Sequence, residues 1–460
     1  MEKEFRSRRV IGMCFHATLG PFLTGYNQGV FNPCQNNVAA TLNWGSQKET
    51  LVALFSAFNP IGGTVGGMLA GVIANKLGRR KAMVFLSALS CVGAALCMVP
   101  TTVTFGIGRL VGGFISGAFL AIAPVYISEV SPPEISGRLG SLTQGNFALG
   151  IAVSYALGLP LPTSDYNSSS MNEWWILMFG FQILVALYLI GGYLFTYKFD
   201  TPFWLLEKGR NQEFKEALDY VYTPEGLPKA MTYHSKSEST EAFLEEPEEN
   251  PSYKDLFCNS KYRKMMRLSI LLAVFLPFTG AAAIIFYSTL MFEKISDNEF
   301  MARVYTFILG VVNTLSVLLS LPFVDKVGRK KMLVIGLTLL GTDLLLLGLS
   351  ELLNLPIELS VTLLIGFCVV WALSPGPILW LYLGEILTDK GMSVAITVCH
   401  VCISIVVFTF PFLGNLVSLS GTFLIYAGVS FGGALYLVFD MVETKGIPRK
   451  KIFNQITSKN

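Results

Sequence analysis

The chain has 460 residues, 52% of them hydrophobic and only 14% charged, with a formal net charge of +3. A water-soluble chain would carry about a quarter charged residues, so most of this surface does not face water, and the mean hydropathy of +0.55 agrees. So small a charge gives no ground for nucleic-acid binding. With only three widely separated histidines (His16, His234, His400), no metal-ligand cluster or catalytic triad is in view.

Apolar stretches of about 20 residues recur, each long enough to cross a hydrocarbon core roughly 30 Å thick. Met1 to Arg9 is short and basic, has no small-residue cleavage site and runs straight into the first span, which can serve as its own insertion signal. In chain order the spans read 10–31, 50–75, 82–99, 104–127, 138–160 and 174–197, then 266–291, 302–324, 331–352, 357–385, 393–414 and 420–441. In lipid the backbone must satisfy itself, so these spans should be helices. Between the two sets, Trp204 to Tyr222 carries apolar residues at helical spacing, and 235–252 is acidic, Ser- and Pro-containing and expected to be flexible. Cys14, Cys91, Cys97, Cys368, Cys399 and Cys402 fall inside spans, where packing is their expected role.

Lys and Arg gather at the amino terminus, at Lys76–Lys81, over 198–265, at Lys326–Lys331 and in the tail. The positive-inside rule then puts both termini and the central segment in the cytosol. The loop 161–173 falls outside, with Asn167-Ser-Ser169 as a glycosylation sequon. The chain divides into a six-helix half (1–197), a linker (198–265), a second half (266–441) and a tail (442–460).

The halves repeat. Asn75-Lys-Leu-Gly-Arg-Arg-Lys81 after the second span matches Asp325-Lys-Val-Gly-Arg-Lys-Lys331 after the eighth, and Glu129 and Glu385 end the fourth and tenth. Two repeated halves around a midplane site are a transporter architecture. These motifs, with Gly25-Tyr-Asn-Gln-Gly-Val-Phe-Asn32, Gly108-Arg-Leu110, Ser128-Glu-Val-Ser-Pro132, Phe286-Tyr-Ser288, Pro375-Gly-Pro-Ile-Leu-Trp380 and Glu443-Thr-Lys-Gly446, resemble the major facilitator superfamily over nearly the whole chain. Within it they resemble the sugar porters, above all the animal-type facilitative glucose transporters. The resemblance implies an all-α membrane protein of twelve helices in two halves, facilitating transport of a sugar or related small polar solute by alternating access, with no cofactor. It also implies a plasma-membrane location and leaves the oligomeric state open.

The same resemblance implies roles for particular residues. Arg79, Arg80, Arg138, Asp325, Arg329 and Lys330, with Glu129, Glu385 and Glu443, would form a gate of ion pairs between the halves. Gln144, Thr279, Asn313, Gly376 and Trp380 would contact the solute; helix–helix hydrogen bonding is the alternative for the two amides. Pro375-Gly-Pro377 should break the tenth span, which lipid tolerates only beside a cavity or packed protein. Arg109 and Asn27 lie at similar depth, and in proton-coupled sugar porters the position of Asn27 is typically an Asp. Asn cannot titrate, which argues for a uniporter.

Departures from the pattern are concentrated in the second half. The sugar-porter seventh span, Gln-Gln-x-Ser-Gly-x-Asn, reads Leu276-Pro-Phe-Thr-Gly-Ala-Ala282 here, and Ala372 stands where the family has an acid. Losing three hydrogen bonds at about 0.5–1.5 kcal/mol each weakens binding by roughly ten- to a thousandfold. Glucose specificity is therefore not expected. A solute sensor that does not transport is the alternative from another class.

Overall fold

A backbone removed from water must hydrogen-bond to itself. In a computed structural model the described residues are 4–163, 173–238, 252–387 and 389–445, with positions 447, 452, 455 and 456; they form helices and no strand. The sequon at Asn167 lies outside the described residues.

The first crossing is built from three pieces, α1 (Ser7–Ala17), α2 (Leu19–Gly29) and α3 (Phe31–Thr41). It is followed by α4 (Lys48–Leu77), α5 (Arg79–Met98), α6 (Thr102–Val130), α7 (Pro133–Gly158) and α8 (Trp174–Gly191), the last running into a π-helical turn at Gly192–Thr196. Three short helices follow, α9 (Pro202–Glu207), α10 (Asn211–Val221) and α11 (Leu227–Glu238). The single helix expected over 204–222 is thus two, divided at Gly209, whose φ of 68° suits glycine. The stretch expected to be flexible is helical as far as Glu238, and 239–251 lies outside the described residues.

The second half begins with α12 (Tyr253–Cys258) and α13 (Ser260–Phe275). A 3₁₀ turn, Pro277–Thr279, and left-handed Gly280 (φ 89°) separate α13 from α14 (Ala281–Ser296). Then come α15 (Glu299–Val327), α16 (Arg329–Leu352), α17 (Ile357–Leu373), α18 (Pro375–Ile386) and α19 (Asp389–Asp440). The break between α17 and α18 falls at Ser374, next to the Pro-Gly-Pro that removes helical donors.

Nine stretches among the described residues are long and apolar enough to cross a membrane singly. One of them, Lys390–Asp440, has 51 residues, about 77 Å of helix at 1.5 Å per residue and more than two crossings of the bilayer. Non-helical Ser418 (φ 68°, ψ 168°) divides it into the eleventh and twelfth spans. With the fragmented first crossing and α7, the twelve spans are complete. Between the halves, α7 lies against α15 and α4 against α19.

Inside the first half, α4 and α6 approach backbone to backbone. A Cβ on Gly62 would overlap the Leu110 carbonyl oxygen, one on Gly66 that of Phe114, and one on Gly117 that of Gly63. Small residues at four-residue spacing on both helices make this approach possible.

Candidate functional site: a central cavity and paired ion clusters

At the end carrying the basic turns, the repeat in sequence becomes a repeat in hydrogen bonding. Gly78 (φ 90°) and Gly328 (φ 105°) take the positive φ that links α4 to α5 and α15 to α16. In the first half Arg79 Nη2 lies 2.8 Å from Glu129 Oε1, and Glu129 Oε2 accepts the Thr201 hydroxyl at 2.6 Å. Asp200 Oδ1 accepts the Arg80 and Thr201 amides at 3.2 and 2.9 Å. In the second half Arg329 Nη2 lies 2.8 Å from Glu385 Oε1, and Glu385 Oε2 accepts the Thr444 hydroxyl. Glu443 accepts the Arg329 and Lys330 amides at 2.8 and 3.2 Å.

An acid thus caps the amino-terminal end of α5 and of α16, where unpaired N–H groups favour negative charge. Burial raises the Asp200 carboxyl above its ordinary range. Burial would also raise Glu443, but the N–H groups of Lys445, Arg329, Thr444 and Lys330 outweigh it and hold that carboxyl low. Removing one partner of a buried pair typically costs about 3–5 kcal/mol, so each cluster ties its own helices firmly. Both ion pairs are internal to a half, whereas the sequence pointed to pairs between halves. Arg138 is exposed and enters neither pair, Arg80 donates to the Tyr193 carbonyl oxygen, and the Asp325 side chain lies outside the described ones. Asp200, Thr201 and Thr444 were not among the expected gate residues. The recurring acid–threonine pair, Asp200-Thr201 and Glu443-Thr444, is the signal that finds them.

The opposite end is where hydrogen bonds join the halves. Helix α14 is kinked at Tyr287 (φ −137°, ψ 15°), which frees backbone groups around it. Asn32 of α3 fills the gap: its Nδ2 donates to Ser288 Oγ at 2.7 Å and to the Ile285 carbonyl at 3.0 Å, and its Oδ1 accepts the Thr289 amide at 3.1 Å. The Tyr155 hydroxyl donates to the same Ile285 carbonyl at 2.7 Å. Asn36 donates to Glu293 at 3.1 Å, and Arg303 to the Leu161 carbonyl.

Between these ends, a cavity with about 590 Å³ of space not filled by atoms is bounded by α7, α14, α15, α17 and α18. Gln144 of α7, Asn313 of α15 and Gly376 of α18 line it, as does Trp371 of α17. Thr279 and Trp380 do not line it: the Thr279 hydroxyl is fully buried and donates to the Leu276 carbonyl at 2.7 Å, and Trp380 is half-buried against the core. Leu276, Pro277 and Ala282, read from sequence as facing the cavity, are buried in helix packing, and Ala281, Ile284 and Ile285 line it instead. Deeper in the first half, Arg109 is fully buried and donates to the Asn27 carbonyl at 2.8 Å, to Asn27 Oδ1 at 3.1 Å and to the Phe55 carbonyl at 3.2 Å.

The family described as "Sugar (and other) transporter" matches residues 13–455. The chain belongs to this family. Plastidic glucose transporter 4 of Arabidopsis thaliana is 30% identical to this sugar transporter over 452 residues, covering 96% of this chain and 79% of the relative. The dog solute carrier family 2, facilitated glucose transporter member 3, is 27% identical over 469 residues, with 96% and 90% covered. Among solved structures, the partially occluded inward open conformation of the xylose transporter XylE from E. coli superposes with a TM-score of 0.79 at 23% identity, covering 95% of this chain and 99% of that one. That likeness shows the major facilitator fold, and the chain is accordingly an integral, multi-pass membrane protein.

Proposed function

We propose that this sugar transporter is a facilitative uniporter that moves a neutral sugar or related small polar solute by alternating access. One observation carries the reading. Gln144 and Asn313, one from each half, border a single cavity, and neither side chain has a hydrogen-bond partner in the protein among the described residues. Amides left unpaired beside a cavity offer donors and acceptors to a diol. Among the described residues the lining includes no charged one, which favours an uncharged solute because burying an unpaired charge is costly. Thr279, Gly376 and Trp380 complete the proposed site as residues of the surrounding turn and broken helix rather than as direct ligands in this conformation. Reduced polarity in the second half supports a substrate other than plain glucose.

In the proposed cycle, the Asn32 and Asn36 contacts hold one end shut while the ion clusters keep each half rigid as it rocks. The gate residues Arg79, Glu129, Arg329, Lys330, Glu385 and Glu443 act within their halves in this conformation, and residues 1–197 and 266–441 are the moving bodies. Both termini are assigned to the cytosol on the distribution of Lys and Arg, and the protein to the plasma membrane on its resemblance to the animal-type facilitative glucose transporters.

Asn27 beside Arg109 offers no group that binds a proton at physiological pH. Initial solute uptake into vesicles containing the purified protein should therefore be unchanged when an ionophore collapses the proton gradient. A severalfold fall in uptake through vesicles that remain sealed would refute uniport. For topology, an impermeant label should reach the loop 161–173 from outside intact cells. Labelling only after permeabilisation would invert the assignment.

A further inference from the structure

The cavity walls are chemically unequal. Gln144 and Asn313 come from the packed pair α7 and α15, and they are joined by the Trp371 indole. Elsewhere the lining presents Ala281 and Ile284 from α14, and Phe367, Cys368 and Ala372 from α17, of which only the Cys368 thiol can hydrogen-bond through its side chain, and that weakly. The one hydroxyl among the described lining residues, that of Tyr155, is committed to the Ile285 carbonyl and accepts from Asn32. The left-handed turn at Gly280 sets which face of α14 reaches the cavity, so the apolar character of this wall rests on Ala281 and Ile284.

A fully hydroxylated pyranose carries hydroxyls around its whole rim. With one edge on the two amides, the hydroxyls of the opposite edge would meet carbon, the weakly bonding Cys368 thiol and at most the single Trp371 N–H donor. Each hydroxyl buried without a partner weakens binding by about tenfold or more. Removing such a hydroxyl, or covering it with an alkyl or aryl group, turns the mismatch into favourable apolar burial. Resting on the reading of this cavity as the solute site, we propose that the preferred solute is a neutral pyranose that is part-deoxygenated or O-alkylated. Its diol edge lies on Gln144 and Asn313, and its apolar edge lies on Ile284, Phe367 and Ala372.

The test uses the full chain in sealed vesicles and compares influx of D-glucose, 6-deoxy-D-glucose, and methyl and phenyl β-D-glucopyranoside. At least one of the three analogues is expected to exceed glucose in kcat/KM by about tenfold. Glucose equal to or better than every analogue overturns the inference and leaves sugar transport standing. No influx of any of the four overturns the transport reading, and the inference with it. The double variant Ala281→Ser/Ile284→Asn should shift the analogue-to-glucose ratio toward glucose by about fivefold or more. Because both solutes are read in one preparation, a reduced folded fraction cancels from the ratio. An unmoved ratio in protein that still transports shows that α14 does not supply the apolar wall.

Discussion

Gly66→Val should abolish accumulation of folded protein in the membrane, the largest effect expected of any single substitution. A Cβ at Gly66 would overlap the Phe114 carbonyl oxygen, a backbone atom that no rotamer change can move aside. Gly62 faces Leu110 in the same way, so α4 and α6 are in backbone contact over at least one full turn. Separating them costs the packing on which helix association in lipid depends, because lipid tails give apolar side chains no reason to prefer one another. The effect should exceed the roughly 1–3 kcal/mol of ordinary overpacking, since the obstruction is main chain. Gly71 on the same helix has open space around its Cβ position and serves as the control. Fluorescence-detected size-exclusion of tagged protein in mild detergent reads both variants. A normal monodisperse peak for Gly66→Val would mean that α4 and α6 do not pack as described, whereas Gly71→Val should elute like the parent.

The spans and the repeat were legible in the sequence for one physical reason. Lipid demands apolar surface over some 20 consecutive residues, and that demand leaves a signal that survives every local exception. The basic Gly-turns were equally legible because positive φ and a helix start leave little choice at Gly78 and Gly328. What could not be read was the rotation of each helix. A span that is apolar on all sides carries no periodicity to tell the cavity face from the lipid face. Thus Trp380 was expected at the solute while Trp371, on the other side of the break at Ser374, lines the cavity. In the same way Leu276, Pro277 and Ala282 were read as cavity residues, although the 3₁₀ turn and left-handed Gly280 between α13 and α14 bring Ala281 and Ile284 there instead. Partner choice within the basic end was hidden too. Charge complementarity allows Glu129 and Glu385 many cations, and only the folded geometry selects Arg79 and Arg329 from the same half. The kink at Tyr287 left no signal in the composition, yet it explains why Asn32 finds two carbonyl or hydroxyl acceptors and an amide donor across the interface.

Gln144→Leu and Asn313→Leu should each lower apparent solute affinity by about tenfold, and the pair together by up to about a hundredfold, with little loss of stability. The affinity figure follows from roughly 1–1.5 kcal/mol for a net hydrogen bond to a neutral group. The stability expectation follows from the absence of a protein partner for either amide among the described residues. Replacing an unpaired amide by a side chain of similar volume strands no donor or acceptor elsewhere in the protein. If these amides instead joined helix to helix, each substitution would leave a buried group unsatisfied and cost about 1–3 kcal/mol of stability. The two roles therefore move different observables: a rise in KM at constant melting temperature marks a solute ligand, and a fall in melting temperature at constant KM marks a structural bond. Because Gln144 belongs to the first half and Asn313 to the second, the double variant also tests alternating access. A solute that bridges the halves should couple the two sites, so that the combined loss departs from the product of the single losses. Unchanged KM in all three variants would remove both amides from the solute's path and, with them, this cavity as the transport site.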